Sequence, residues 1–151
     1  MPMLAVGLGA ISIAQAATQV EPISGRLATA DIMHGEQIAL VCKSCHSFEK
    51  GGPQMMGPNL WGIVGGRHAY QPGFAYSPAF AALKGKPWDY EALNIFVYQP
   101  SAAVPGTSMT YYGLKRTEDR ADLIAWMRLR SDHPLPLSST TVKTPHAASD
   151  K

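Results

Sequence analysis

Cys42, Cys45 and His46 stand in the order C-x-x-C-H, and their types and spacing imply chemistry more directly than any other group in the chain. Two thiols two residues apart can cycle as a redox dithiol or supply half of a zinc site. They can also form thioethers to two vinyl groups on one edge of a porphyrin, with the following histidine held beneath the iron. The chain has only 2 cysteines, which excludes a four-cysteine zinc site. No βαβ pattern surrounds the pair, which argues against a thioredoxin-like dithiol. Attachment of a c-type haem is the reading left in front. It asks the rest of the chain for a second axial ligand, apolar walls and polar groups at the propionates.

The helix that carries Cys42 is expected to begin after Asp31, an N-cap residue. Ile32, Gly35, Ala39 and Cys42 follow at i, i+3, i+7 and i+10 and share one face. Glycine in a helix interior costs about 1 kcal/mol against alanine, so Gly35 either merely weakens the helix or marks a place where another helix crosses at close range. After His46 comes a loop over residues 47–57, then Gly57-Pro58-Asn59-Leu60 and a glycine-rich stretch to Gly66. Pro72-Gly73-Phe74 reads as a turn, and Ser77-Pro78 as a cap with proline at the first position of a short helix through Leu83. Asp89 caps a helix with Leu93, Phe96 and Val97 on its apolar face, which stops before Pro100. Residues 104–109 form a loop. Thr117 is expected to cap the last helix, with Glu118 and Asp119 in its first turn, Arg128 and Arg130 near its end, and Leu123, Trp126 and Met127 as its buried stripe.

The 12 prolines and 14 glycines among 151 residues indicate small helices joined by long loops, which need something else to pack on. The formal net charge is +2 and there is no basic run, so nucleic acid is excluded as a partner. Residues 1–16 read as a signal peptide or the remnant of an N-terminal membrane anchor: 3–13 is apolar and Ala14-Gln15-Ala16 resembles a cleavage site, but no basic residue precedes the run. The run is short of the roughly 20 residues of a membrane span. Residues 17–30 read as a polar linker, 31–132 as the folded domain, and 133–151 as a disordered tail rich in proline, serine and threonine.

Together, CKSCH, GPNLWG, PGFAYS, Trp88, PGTSM and DRADLIAWM resemble, in order and spacing, the class I cytochromes c, the family of mitochondrial cytochrome c and its bacterial relatives. The resemblance covers residues 31–132, and the sequence SDHPLPL after the last helix is most similar to the alphaproteobacterial, partly membrane-anchored subgroup. It implies an all-α, single-domain fold of about four to five helices and long loops around one covalently bound haem c. It further implies thioethers at Cys42 and Cys45, His46 as proximal ligand with its other ring nitrogen on the Pro58 carbonyl, and Met109 as distal ligand. Tyr76, Trp88 and Thr107 would hold a buried propionate, and Trp126 would cross at Gly35.

The chain also departs from the family pattern. Ala39 stands near the position of a phenylalanine, Phe96 replaces a tyrosine whose hydroxyl reaches the methionine sulfur, and Gly66 takes the place of an arginine that Arg67 could replace. Where mitochondrial cytochrome c has lysines around its haem edge, this chain has Val41, Pro53, Met55, Ser101, Ala102 and Ser108; Lys43, Lys50, Lys115 and Arg116 are the nearby basic residues. Met55, Met56, Val41 and Tyr111 would then ring the edge, unless the two methionines fold over the porphyrin.

The function implied is one-electron transfer, with no enzymatic activity. The chain would shuttle electrons between a quinol-oxidising cytochrome bc complex and a terminal oxidase, as a monomer. It would act in the periplasm, soluble or anchored to the outer face of the inner membrane. The alternative is a fixed cytochrome subunit of a respiratory supercomplex or a periplasmic dehydrogenase. A haem peroxidase or gas sensor would need an open distal position, which the PGTSM loop argues against.

Overall fold

A computed structural model describes residues 20–137. The expected signal peptide or anchor, and the tail beyond residue 137, lie outside the described residues. Among them there are five α-helices, one 3-10 helix at Leu27–Thr29 and no β-strand, only an isolated bridge between Arg67 and Pro87. The helices are α1 (Ile32–Cys42), α2 (Pro78–Ala81), α3 (Tyr90–Tyr98), α4 (Pro100–Ala103) and α5 (Thr117–Arg128). None of these helices is long and apolar enough to cross a membrane.

Local capping starts three helices where the sequence indicates. The Asp31 carboxylate accepts from the His34 N–H at 3.0 Å, Ser77 Oγ from Phe80 at 3.2 Å, and Asp89 from Ala92 at 2.8 Å. α2 ends two residues before the expected Leu83, and the chain continues as hydrogen-bonded turns. The last helix departs from expectation: Arg116 is its N-cap and offers no side-chain bond, whereas Thr117 is already helical. The Thr117 hydroxyl donates instead to Glu21 Oε2 at 3.0 Å, across the fold.

The core centres on the crossing of α1 and α5. A Cβ on Gly35 would run into the Asp122 carbonyl and lie 2.9 Å from Trp126 Cβ, so only glycine allows the two backbones this close. The crossing therefore meets the Asp122 backbone as well as the expected Trp126. Ala39 is wholly buried there, and Phe48 stands edge-on to Trp126 with ring centroids 5.0 Å apart.

Two segments read as lying outside the domain belong to it. The described part of the expected linker, residues 20–30, buries Val20, Ile23 and Leu27, and Ile23 has no exposed surface. Glu91 Oε1 accepts from the N–H groups of Ile23 and Ser24 at 3.0 and 2.9 Å, and Asn94 Nδ2 donates to the Glu21 carbonyl at 3.0 Å. Three apolar side chains and these long-range bonds fasten a segment whose composition is otherwise polar. At the other end, the Leu135 carbonyl accepts from Arg128 Nε at 2.6 Å and the Tyr90 hydroxyl at 2.7 Å, while its side chain packs over Gly65. Residues 133–137, expected to begin a disordered tail, are thus tied to α3 and α5.

Candidate haem site

The C-x-x-C-H sequence lies at the C-terminus of α1. Cys42 is the last helical residue, and its carbonyl accepts from the N–H groups of Cys45 and His46 at 3.1 and 2.9 Å. The helix end thereby winds into a turn that presents both sulfurs, unbridged and half-buried. Burial pushes the Cys42 thiol above its ordinary pKa. A redox-active dithiol needs the opposite shift, because the thiolate is the nucleophile, so the environment disfavours the dithiol reading.

His46 is 9% exposed, and its Nδ1 lies 2.7 Å from the Pro58 carbonyl oxygen. A carbonyl can only accept, so Nδ1 carries the proton and Nε2 keeps its lone pair. Burial holds the imidazole below its ordinary pKa, with the Pro58 carbonyl as the smaller, opposing influence. The result is a neutral, oriented imidazole whose free nitrogen suits a metal ion. A further residue, Gly57, enforces this arrangement. A Cβ on Gly57 would collide with His46 Cε1 and sit 2.6 Å from Nδ1 and 2.8 Å from Nε2. The Gly57 N–H also donates to the Cys45 carbonyl at 2.8 Å, which draws the GPNL turn against the C-x-x-C-H turn. Asn59, buried, locks the loop between them: its Nδ2 donates to Ser47 Oγ at 2.7 Å and to the Glu49 carbonyl at 2.9 Å. The glycine opening GPNL is the only sequence signal for this constraint.

Met109 lies in the loop between α4 and α5. Its side chain is partly buried against the core, and its N–H donates to Thr107 Oγ1 at 3.2 Å. Thr107 thus accepts from the methionine's own backbone and keeps a hydroxyl proton to give.

Tyr76 and Trp88 belong to one aromatic cluster. Phe80 stacks on Tyr76 at 5.5 Å and lies 6.1 Å from Trp88, and Phe96 stands 5.4 Å from Trp88 and 5.7 Å from Phe80. The Tyr76 hydroxyl accepts from the Gln71 N–H at 3.1 Å, and burial raises its pKa, so the phenol keeps its proton. His68, which no motif singled out, lies flat on Trp88 with centroids 3.4 Å apart; its Nδ1 donates to the Lys86 carbonyl at 2.9 Å. Arg67, next to Gly66, donates from Nη1 to the Gly85 carbonyl at 3.1 Å, beyond α2.

These donors fit a haem c. The chain offers two adjacent thiols, an imidazole with one nitrogen free, a thioether at the core margin, and aromatic side chains with polar tips. The relatives agree. A cytochrome c homologue from Bradyrhizobium diazoefficiens is 43% identical over 129 residues, covering 83% of this chain and 68% of that protein. Cytochrome c2 from Rhodomicrobium vannielii is 36% identical over 118 residues, covering 78% of this chain and 94% of that protein. The solved structure of cytochrome cH from Methylobacterium extorquens superposes with a TM-score of 0.61 at 34% identity, covering 66% of this chain and 99% of the other. The chain spans 57% and 64% of the length of two cytochrome c homologues from Rickettsia. No protein-family model matches. The chain belongs to the class I c-type cytochromes, all-α electron carriers rather than enzymes, which hold one covalently bound haem c. Cys42 and Cys45 fit the attachment motif of that group.

Proposed function

We propose that this chain transfers single electrons through one haem c attached at Cys42 and Cys45, with His46 and Met109 as axial ligands. The observation that carries this reading is the 2.7 Å bond from His46 Nδ1 to the Pro58 carbonyl, which leaves the Nε2 lone pair free. When bound, the haem supplies the ferric/ferrous couple. The protein's part is to hold that couple and shift its balance. The Pro58 carbonyl raises the basicity of His46 by accepting a hydrogen bond from its Nδ1–H. The Met109 thioether, a soft donor, favours the ferrous state and a high potential. Tyr76, Trp88 and Thr107 offer donors for a propionate, and Phe80 and Phe96 keep water from that end.

The electrons would pass between a quinol-oxidising cytochrome bc complex and a terminal oxidase on the periplasmic side of the inner membrane, by a chain that is free or tethered there. The alternative, a fixed cytochrome subunit of a respiratory supercomplex or a periplasmic dehydrogenase, is favoured by Val41, Pro53, Met55, Ser101, Ala102 and Ser108 at the positions where mitochondrial cytochrome c has lysines. Co-purification with a larger complex discriminates the two.

The test of ligation is Met109→Ala in the haem-loaded protein. The potential should fall by a sizeable part of the roughly 0.8 V that axial ligands span, and carbon monoxide should bind the ferrous form rapidly. An unchanged potential with no carbon monoxide binding would move the distal ligand to another side chain.

A further inference from the structure

Four exposed apolar side chains flank the two cysteines. Leu40 and Val41, 62% and 60% exposed, occupy the last turn of α1 beside Cys42. Met55 and Met56, 46% and 83% exposed, are held beside Cys45, because the Gly57 N–H donates to the Cys45 carbonyl and the Met55 N–H to the Gly57 carbonyl. The four basic side chains assigned to this region are all engaged locally. Lys43 Nζ sits over the Trp126 ring, 5.3 Å from its centroid, and Lys50 is paired with Asp132 at 2.9 Å. Lys115 donates to the Tyr98 carbonyl at 2.7 Å while lying over the Tyr98 and Tyr112 rings, and Arg116 lies 3.9 Å from Asp119.

We infer that Leu40, Val41, Met55 and Met56 form the docking face for an electron-transfer protein whose own face is apolar and weakly charged, not acidic. The inference rests on haem attachment at Cys42 and Cys45. Both cysteines are partly exposed, so a partner that approaches the attached edge meets the exposed side chains beside them. Lys50 and Arg116 have carboxylate neighbours, while Lys43 and Lys115 keep their charge against neutral partners, so the positive field left to steer an acidic partner is mainly that of two side chains. Contact is then held by apolar burial at a small interface, as weak electron-transfer encounters are.

The test uses the ferrous holoprotein in three measurements. First, stopped-flow oxidation by hexacyanoferrate(III) and by tris(phenanthroline)cobalt(III) reads the local charge, since the two oxidants are of opposite sign. Both rates should change less than about threefold over a tenfold range of ionic strength; steep opposite slopes would reveal a positive edge and overturn the inference. Second, the double variant Val41→Ser/Met56→Ser is turned over by membranes of the source organism at subsaturating concentration. Turnover should fall about tenfold, the size expected of an interface anchor, with the potential and both inorganic rates unchanged. Undiminished turnover overturns the inference, and a shifted potential does so too by placing Met56 against the porphyrin. Third, sedimentation at high concentration should show a monomer; a dimer abolished by the double variant would make the face a self-contact. A purified protein without haem c would overturn the functional reading itself, and this inference with it, which no result on the loaded protein can mimic.

Discussion

Replacing Gly57 by alanine places one methyl group against the histidine. The added carbon would collide with His46 Cε1 and lie 2.6 and 2.8 Å from the two ring nitrogens, where unbonded heavy atoms settle at about 3.5–4.0 Å. Either the ring or the loop must move by about 1 Å. A movement of that size along the loop takes the 2.7 Å bond between His46 and Pro58 beyond hydrogen-bonding range. Overpacking costs about 1–3 kcal/mol and a lost neutral hydrogen bond about 1 kcal/mol. At a few degrees per kcal/mol, the melting temperature of the holoprotein should fall by about 10 °C. The potential should rise, because a histidine that no longer donates to a carbonyl is a weaker base and supports ferric iron less well. Thermal melts followed by circular dichroism and potentiometric titration read the two effects. Gly25→Ala is the control, since nothing lies within 4 Å of the added carbon there. A Gly57→Ala protein that melts within about 2 °C of the parent, at the same potential, would refute the argument that this glycine seats the ring.

Ile23→Ala should destabilise the domain by about 2–5 kcal/mol, as for other wholly buried isoleucines, and chemical denaturation checks it; an effect below about 0.5 kcal/mol would return the segment to the status of a linker. His34 Nδ1 lies 2.9 Å from Asp122 Oδ2, and that bond raises its pKa above the ordinary 6.5. The stabilisation is therefore complete below pH 6.5, where the unfolded histidine is also protonated, and fades as pH rises through the raised folded value. His34→Gln should lower the melting temperature at mildly acid pH and leave it nearly unchanged in alkali, and an equal loss at both would count against the ion pair.

The parts of the fold legible in the sequence are those decided by neighbours along the chain. Asp31, Ser77 and Asp89 each cap a backbone N–H three residues on, so type and position suffice. Thr117 has the same chemistry, but its hydroxyl finds Glu21, 96 residues away, and no local rule anticipates that choice. Ile23 and Leu135 sit singly in polar or proline-rich sequence, without periodicity, and their burial depends on Glu91, Arg128 and Tyr90. At the site, His46 and Pro58 could be read from two motifs of the family. Gly57 owes its role to the distance of a ring that only the fold brings near, and His68 to a stacking partner 20 residues further on.

The anchoring of residues 20–30 changes where this domain can be held from. As a free linker those eleven residues would lend any upstream attachment about 35–40 Å of extended reach. Clamped on Glu91 and Asn94 they lend none, and the pivot moves from Asp31 to Val20, on the side of the molecule built by α3 and the start of α5. Were the chain tethered upstream, a leash shortened by that length would confine the domain to a much smaller volume and raise its local concentration for partners within it.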